Sequence, residues 1–154
     1  MENLERYVRE HPFFAGLDPA LVELAAGCAR NAHFDAGTLL FREGQAADEF
    51  YLLRHGSVAL EIVAPARPSL VIATLHEGDL VGASWLVPPY RWNFDARATA
   101  LVRAIAIDAR CLREKCEADP RLGYQVLKRF LPVIVRRLQA TRMQLLDVYG
   151  RQPA

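Results

Sequence analysis

Between Asn31 and Ile107 the chain is punctuated by glycines at positions 37, 44, 56, 78 and 82, and the residues between them are short runs of leucine, β-branched and aromatic side chains. Glycine reaches the positive φ of a tight turn at no steric cost, and β-prone runs bounded by such turns read as strands. The runs at 39–41, 50–53, 58–63 and 71–75 are predicted strands, and β structure resumes after an interruption at 94–107. Many short strands joined by turns close into a barrel or roll. His55-Gly56 reads as a tight hairpin, and 64–69, with Pro65 and Pro68, as a longer solvent-facing one.

Helices flank this stretch. A short amphipathic helix is predicted around Leu4 to Val8, followed by a turn at His11-Pro12. Asp18-Pro19 then sets an acidic N-cap before a proline in the first turn, so a helix runs from 19 to about 29. Asp108 caps another at about 109–118, and Asp119-Pro120 repeats the start signal for a helix from 120 to about 149. In that last helix Leu127, Leu131, Ile134, Leu138, Thr141, Leu145 and Val148 recur at alternating steps of four and three, a heptad seam. The seam either meets a second copy or packs on the chain's own roll; a homodimer is the expectation. Pro132 removes one backbone hydrogen bond and is expected to kink the helix. Arg121, Lys128, Arg129, Arg136, Arg137 and Arg142 stand against Asp147 on the same helix. Only Arg151 to Ala154 follow Gly150, with no recognition helix, so these charges read as the solvated face of a coiled coil, with no DNA partner expected.

The fold class is therefore mixed, mainly β: a jelly-roll β-roll (double-stranded β-helix) over 31–107, flanked by N-terminal helices within 1–30 and C-terminal helices over 108–150. A chain of 154 residues leaves room for a single domain, 1–154. With 52% hydrophobic residues, 24% charged and a formal net charge of +1, the composition is that of an ordinary soluble globular protein. The polar first ten residues lack the apolar core of a secretory signal, and no apolar run approaches the roughly 20 residues that cross a bilayer. A cytoplasmic protein without a membrane partner is expected. Cys28, Cys111 and Cys116 make neither a CxxC pair nor an even count, and are expected as buried free thiols. The four histidines are scattered with no HExxH spacing, so no metal is expected. P-loop, GxGxxG, paired-carboxylate and Ser-His-Asp patterns are missing, and Gly82-Ala83-Ser84 lacks the second glycine of a nucleophile elbow. The chain is not read as an enzyme.

Leu40-Phe41-Arg42-Glu43-Gly44, Phe50-Tyr51-Leu52-Leu53, Gly56-Ser57-Val58, Glu77-Gly78-Asp79-Leu80-Val81-Gly82 and Arg136-Arg137-Leu138-Gln139-Ala140-Thr141 occur in that order. Together they resemble the cyclic-nucleotide-binding domain of the catabolite activator protein family, over about residues 12 to 149. The resemblance implies a ligand site at Gly82, Ala83 and Ser84, where the free N–H groups of a short helical segment would meet a phosphate. It also implies that Thr141, on a dimerising helix, offers its hydroxyl to a base. The chain departs from the family at two places. Ala83 stands where a ribose-binding glutamate is expected, a loss of about 1.5–3 kcal/mol. The phosphate-binding arginine falls at Arg91 or Trp92, depending on a one-residue gap, with Arg97 the other candidate. The ligand implied is a cyclic nucleotide or another phosphate-bearing nucleotide, held by a degenerate cassette.

Trp85, Tyr90, Trp92 and Phe94 gather around that cassette. They fill the nucleotide cavity, form a stacking surface for another planar ligand, or pack against the roll or a dimer mate. The resulting reading is a regulatory small-ligand-sensing module acting through protein contacts. The alternative is a ligand-free accessory subunit of a larger enzyme complex, because the family includes stand-alone domains beside multi-subunit redox enzymes; the aromatic loop would then be an exposed docking patch.

Overall fold

A computed structural model describes residues 2–150. Two short helices lead in, α1 (Glu2–Glu10) and α2 (Pro19–Gly27). The Asp18 carboxylate accepts from the Ala20 N–H at 2.9 Å, the cap that Asp18-Pro19 predicts. Eight strands follow: β1 (Ala29–Phe34), β2 (Leu39–Phe41), β3 (Glu49–His55), β4 (Val58–Ile62), β5 (Leu70–Leu75), β6 (Leu80–Val81), β7 (Asp95–Ala98) and β8 (Val102–Asp108). They pair antiparallel in two four-stranded sheets, ordered β1-β8-β3-β6 and β2-β7-β4-β5, which is the jelly-roll arrangement expected.

Three details differ from the expectation. The run at 94–107 is two strands, broken where the β3–β4 turn presses on it. A Cβ on Gly56, at φ +93°, would stand 2.3 Å from the Leu101 carbonyl oxygen, so only glycine fits that approach. β1 replaces the end of the predicted second helix; its polar residues Arg30, Asn31 and His33 hide its strand character, which comes from unbroken pairing with β8. β6 is two residues, Leu80 and Val81, held to β3.

Asp108 caps α3 (Ala109–Ala118), its carboxylate accepting from the Cys111 N–H at 3.0 Å. The last helix, α4 (Pro120–Gly150), continues through Pro132 without a break. Its first turns bury Leu122, Val126 and Phe130, and the Phe130 ring meets Phe13, Phe50 and Trp85 edge-on. Leu127, Leu131, Ile134, Leu138 and Leu145 remain 42–58% exposed, so the heptad stripe does not pack on its own roll. The side chain of Val148 and residues Arg151 to Ala154 lie outside the described set. Among the described residues no helix is long and apolar enough to cross a membrane.

Two sequence readings are corrected. Cys28 and Cys111 are not free thiols but form a disulfide, with Cα atoms 5.9 Å apart. The β1–β8 ladder joins them: Ala29 lies opposite Ile107, and the Asp108 N–H donates to the Cys28 carbonyl at 2.8 Å. No local spacing signals a pair 83 residues apart. Cys116 is free and half-buried, and burial raises the pKa of its thiol. The basic residues of α4 are not a uniformly solvated face either, because Arg129 donates to the carbonyls of Pro12, Phe13 and Ala15, and Arg137 to that of Leu80.

Candidate ligand-binding site

The turn after β6 begins at Gly82, at φ +105°, passes a single 3-10 turn at Ser84–Leu86, and returns to β7 through Tyr90, Arg91 and Trp92. Its returning arm pairs with the loop after β2. The Ala47 N–H donates to Tyr90 O at 2.8 Å, the Trp92 N–H to Gln45 O at 3.0 Å, and the Gly44 N–H to Trp92 O at 2.8 Å. Side chains alternate across an extended ladder, so neighbours on this arm point opposite ways. Arg91 turns outward and its Nη1 donates to Gly44 O at 2.8 Å; Trp92 turns inward to 3% exposure.

This alternation gives Arg91 and Trp92 opposite surroundings. Trp92 holds the inward position, stacked on Phe41 with ring centroids 3.8 Å apart and planes 11° apart. The outer edge of the indole lies over Gly82, where an added Cβ would stand 2.5 Å from Cη2. The indole thus fills the space above the residue expected to receive a phosphate. Trp85 serves a different cluster: it is fully buried, stacked on Phe50 at 4.9 Å. Tyr90 lies under the Arg113 guanidinium at 4.0 Å, and Arg113 Nη1 also donates to Trp85 O at 2.7 Å, so α3 clamps both ends of the turn. The tryptophans are core residues, which corrects the reading of the aromatic loop as an exposed docking patch.

The remaining predicted site residues are dispersed. Ser84 is half-buried at the start of the 3-10 turn. Arg97 lies on β7 between the inward-facing Ala96 and Ala98, and therefore on the opposite face; its Nη1 donates to Gly37 O at 2.8 Å and its Nε lies 3.4 Å from the Glu61 carboxylate. The exposed Thr141 hydroxyl donates back to Arg137 O at 2.9 Å. Among the described residues no hydrogen bond joins Arg91, Arg97 or Thr141 to Gly82, Ala83 or Ser84.

An opening lies beneath α4. One face of that helix stands on the rest of the molecule through Arg129, Arg137 and Gln144, which donate to carbonyls of the segment after α1, of β6 and of β5. A cleft of about 700 Å³ lies among these contacts, lined on the roll by Leu75, Asp79 and Leu80 and on α4 by Lys128, Arg136 and Arg137. Burial lowers the Arg137 pKa, Asp79 opposes that shift and Arg136 adds to it. Sequence reasoning passed over Arg113 and read the cleft arginines as part of a solvated face. Arg113 carries no local signal. For the cleft, 128, 129, 132, 133, 136, 137 and 140 follow helical spacing on the face opposite the seam, a pattern legible once that face is known to be covered. No group of three His, Cys, Asp or Glu side chains able to hold a metal occurs among the described residues.

Comparison with known proteins identifies the family and the fold. The cyclic nucleotide-binding domain family matches residues 31–119. A CRP-like cAMP-activated global transcriptional regulator of Mycobacterium tuberculosis is 25% identical over 135 residues, covering 88% of this chain and 58% of the regulator's length. A structure from Geobacter metallireducens GS-15, named for cyclic-nucleotide binding, superposes with a TM-score of 0.77 at 28% identity, covering 87% of this chain and 97% of that one. The catabolite activator protein of Thermus thermophilus superposes with a TM-score of 0.68 at 23% identity, over 90% of this chain and 63% of that one.

Proposed function

The chain belongs to the cyclic nucleotide-binding domain family, and from that premise we propose that it is a regulatory, small-ligand-sensing module that acts through protein contacts. One observation carries the reading: α4 holds the roll with one face and presents an exposed apolar stripe with the other. A change in the roll can therefore bias how the stripe meets a partner, provided the ligand distinguishes the two arrangements. The partners proposed are a second copy and a target protein, rather than DNA or a membrane, and the compartment proposed is the cytoplasm.

The ligand class is a cyclic nucleotide or another phosphate-bearing nucleotide. It would reach the amides of Gly82, Ala83 and Ser84 only after the Trp92 ring leaves its stack on Phe41. Arg91 or Arg97 would then leave its carbonyl partner to meet the anion, and Thr141 would meet the base. The test is calorimetric titration of the purified chain with cyclic AMP, cyclic GMP, cyclic dinucleotides and NADH, with tryptophan emission followed in parallel. Binding of one of them, with a change in emission as Trp92 moves, is expected, and Arg91→Ala with Arg97→Ala should weaken it. Silence across the panel from a folded protein would remove the sensing function.

One observation favours a second reading, a ligand-free accessory or assembly subunit of a larger enzyme complex. Trp92, at 3% exposure, packs as a core residue beside Gly82, where the family resemblance implies a ligand. Co-purification with a stoichiometric partner, together with silence in the titration, is its expected signature.

A further inference from the structure

Separate from the turn at Gly82, the cleft beneath α4 has the features of a binding site in its own right. Its cations exceed its anions: Lys128, Arg136, Arg137 and the carbonyl-bound Arg129 line it against the single carboxylate of Asp79, which accepts from the His76 N–H at 2.8 Å. Among the described residues none of these four cations forms an ion pair. Arg137 is half-buried, with the Leu80 carbonyl as its one hydrogen-bond partner among the described residues, so a desolvated guanidinium keeps most of its donors unused there. Burial and the neighbouring Arg136 both act against its charge. An anion would relieve both, and between low-dielectric walls such a contact is strong. The rest of the lining is apolar, including Phe13, Leu75 and Val133. At about 700 Å³ the volume falls within the roughly 300–1,000 Å³ of small-molecule sites.

We propose that this cleft binds an organic phosphate carrying at least two negative charges, such as a nucleoside diphosphate, with the phosphates on Lys128, Arg136 and Arg137 and the body of the ligand on the apolar floor. The site is distinct from the Gly82 turn, since neither tryptophan nor Gly82, Ala83 or Ser84 lines it. It also lies on the face of α4 opposite the heptad stripe, so pairing through the stripe leaves it open. A ligand there bridges α4 to β5 and β6 alongside the Arg137 contact and holds the helix against the roll.

The experiment is calorimetric titration of the full chain with ADP and with pyrophosphate, at low and high salt, with tryptophan emission recorded. Saturable ADP binding that weakens with salt is expected, tighter than pyrophosphate and without a change in emission. Lys128→Glu with Arg136→Glu should weaken it at least tenfold; among the described residues neither side chain forms a hydrogen bond or ion pair, and Lys128 has only a distant contact with the Tyr124 ring, 5.9 Å from its centroid, so the variant is expected to remain folded. Arg121→Glu with Arg142→Glu, the same charge reversal elsewhere on α4, should change it less than twofold. The proposal is overturned by no ADP binding, by equal losses in the two double variants, by equal affinities for ADP and pyrophosphate, or by a tryptophan response placing ADP at Gly82. That response would leave the sensing function standing while removing this site.

Discussion

A tryptophan stacked on Phe41 and laid over Gly82 leaves no space for a second ring at that point. The ladder that aims Trp92 inward and Arg91 outward is thus the feature on which ligand access at the turn depends. A second residue makes a measurable claim about pH. His11, 5% exposed, donates from Nε2 to Leu53 O at 3.0 Å and accepts the Phe13 N–H at Nδ1 at 3.2 Å, so the neutral ring uses both nitrogens. A proton on Nδ1 would set two donors against each other. Its pKa lies below the ordinary histidine value, chiefly through burial. In the window between the lowered folded value and the unfolded value of about 6.5, the unfolded chain binds the extra proton. The contribution is therefore complete above about 6.5 and lost as pH falls through the folded pKa. Thermal unfolding should show His11→Gln less stable than the parent at pH 7, with the gap narrowing on acidification; a constant gap would show that His11 is not linked to protons.

At the scale of elements, α3 ties the molecule together. It begins at the Asp108 cap, is joined to the end of α2 by Cys28–Cys111, and carries Arg113 to the turn that holds both tryptophans. Closing a loop of this length restricts the unfolded chain, and losing such a bridge costs about 2–4 kcal/mol. Cys28→Ser, or the parent with reductant, should lower denaturant stability by that order, while Cys116→Ser, which breaks no bridge, should stay near the parent. Equal midpoints with and without reductant would show that the bridge adds nothing. The starts of α2, α3 and α4 were legible because Asp18-Pro19, Asp108 and Asp119-Pro120 act on the N–H groups of the next turn. β1 and β6 were not, because one is polar and the other two residues long, and each is defined by a distant partner strand.

For the whole molecule the open question is what covers α4. A stripe of leucines and an isoleucine, each about half exposed, lies along the helix face turned away from the roll. Fully burying one such side chain contributes about 1.5–3 kcal/mol, so pairing two stripes is a substantial driving force. Sedimentation or light scattering should find a dimer that Leu131→Glu with Leu138→Glu converts to a folded monomer; a parent monomeric throughout its concentration range would contradict the pairing. The sequence by itself determined the roll between helices, the caps, the heptad stripe and the position of the Gly82 turn, since these rest on backbone propensities and spacings within one or two turns of chain. It also located the departures at Ala83 and at Arg91-Trp92, but not their result. Only the tertiary structure decided that Trp92 faces inward, that Cys28 meets Cys111, and that the basic residues of α4 divide between carbonyl contacts and an open cleft. Each of these depends on which distant segment lies opposite, and that is set by sheet register and helix docking rather than by neighbours along the chain.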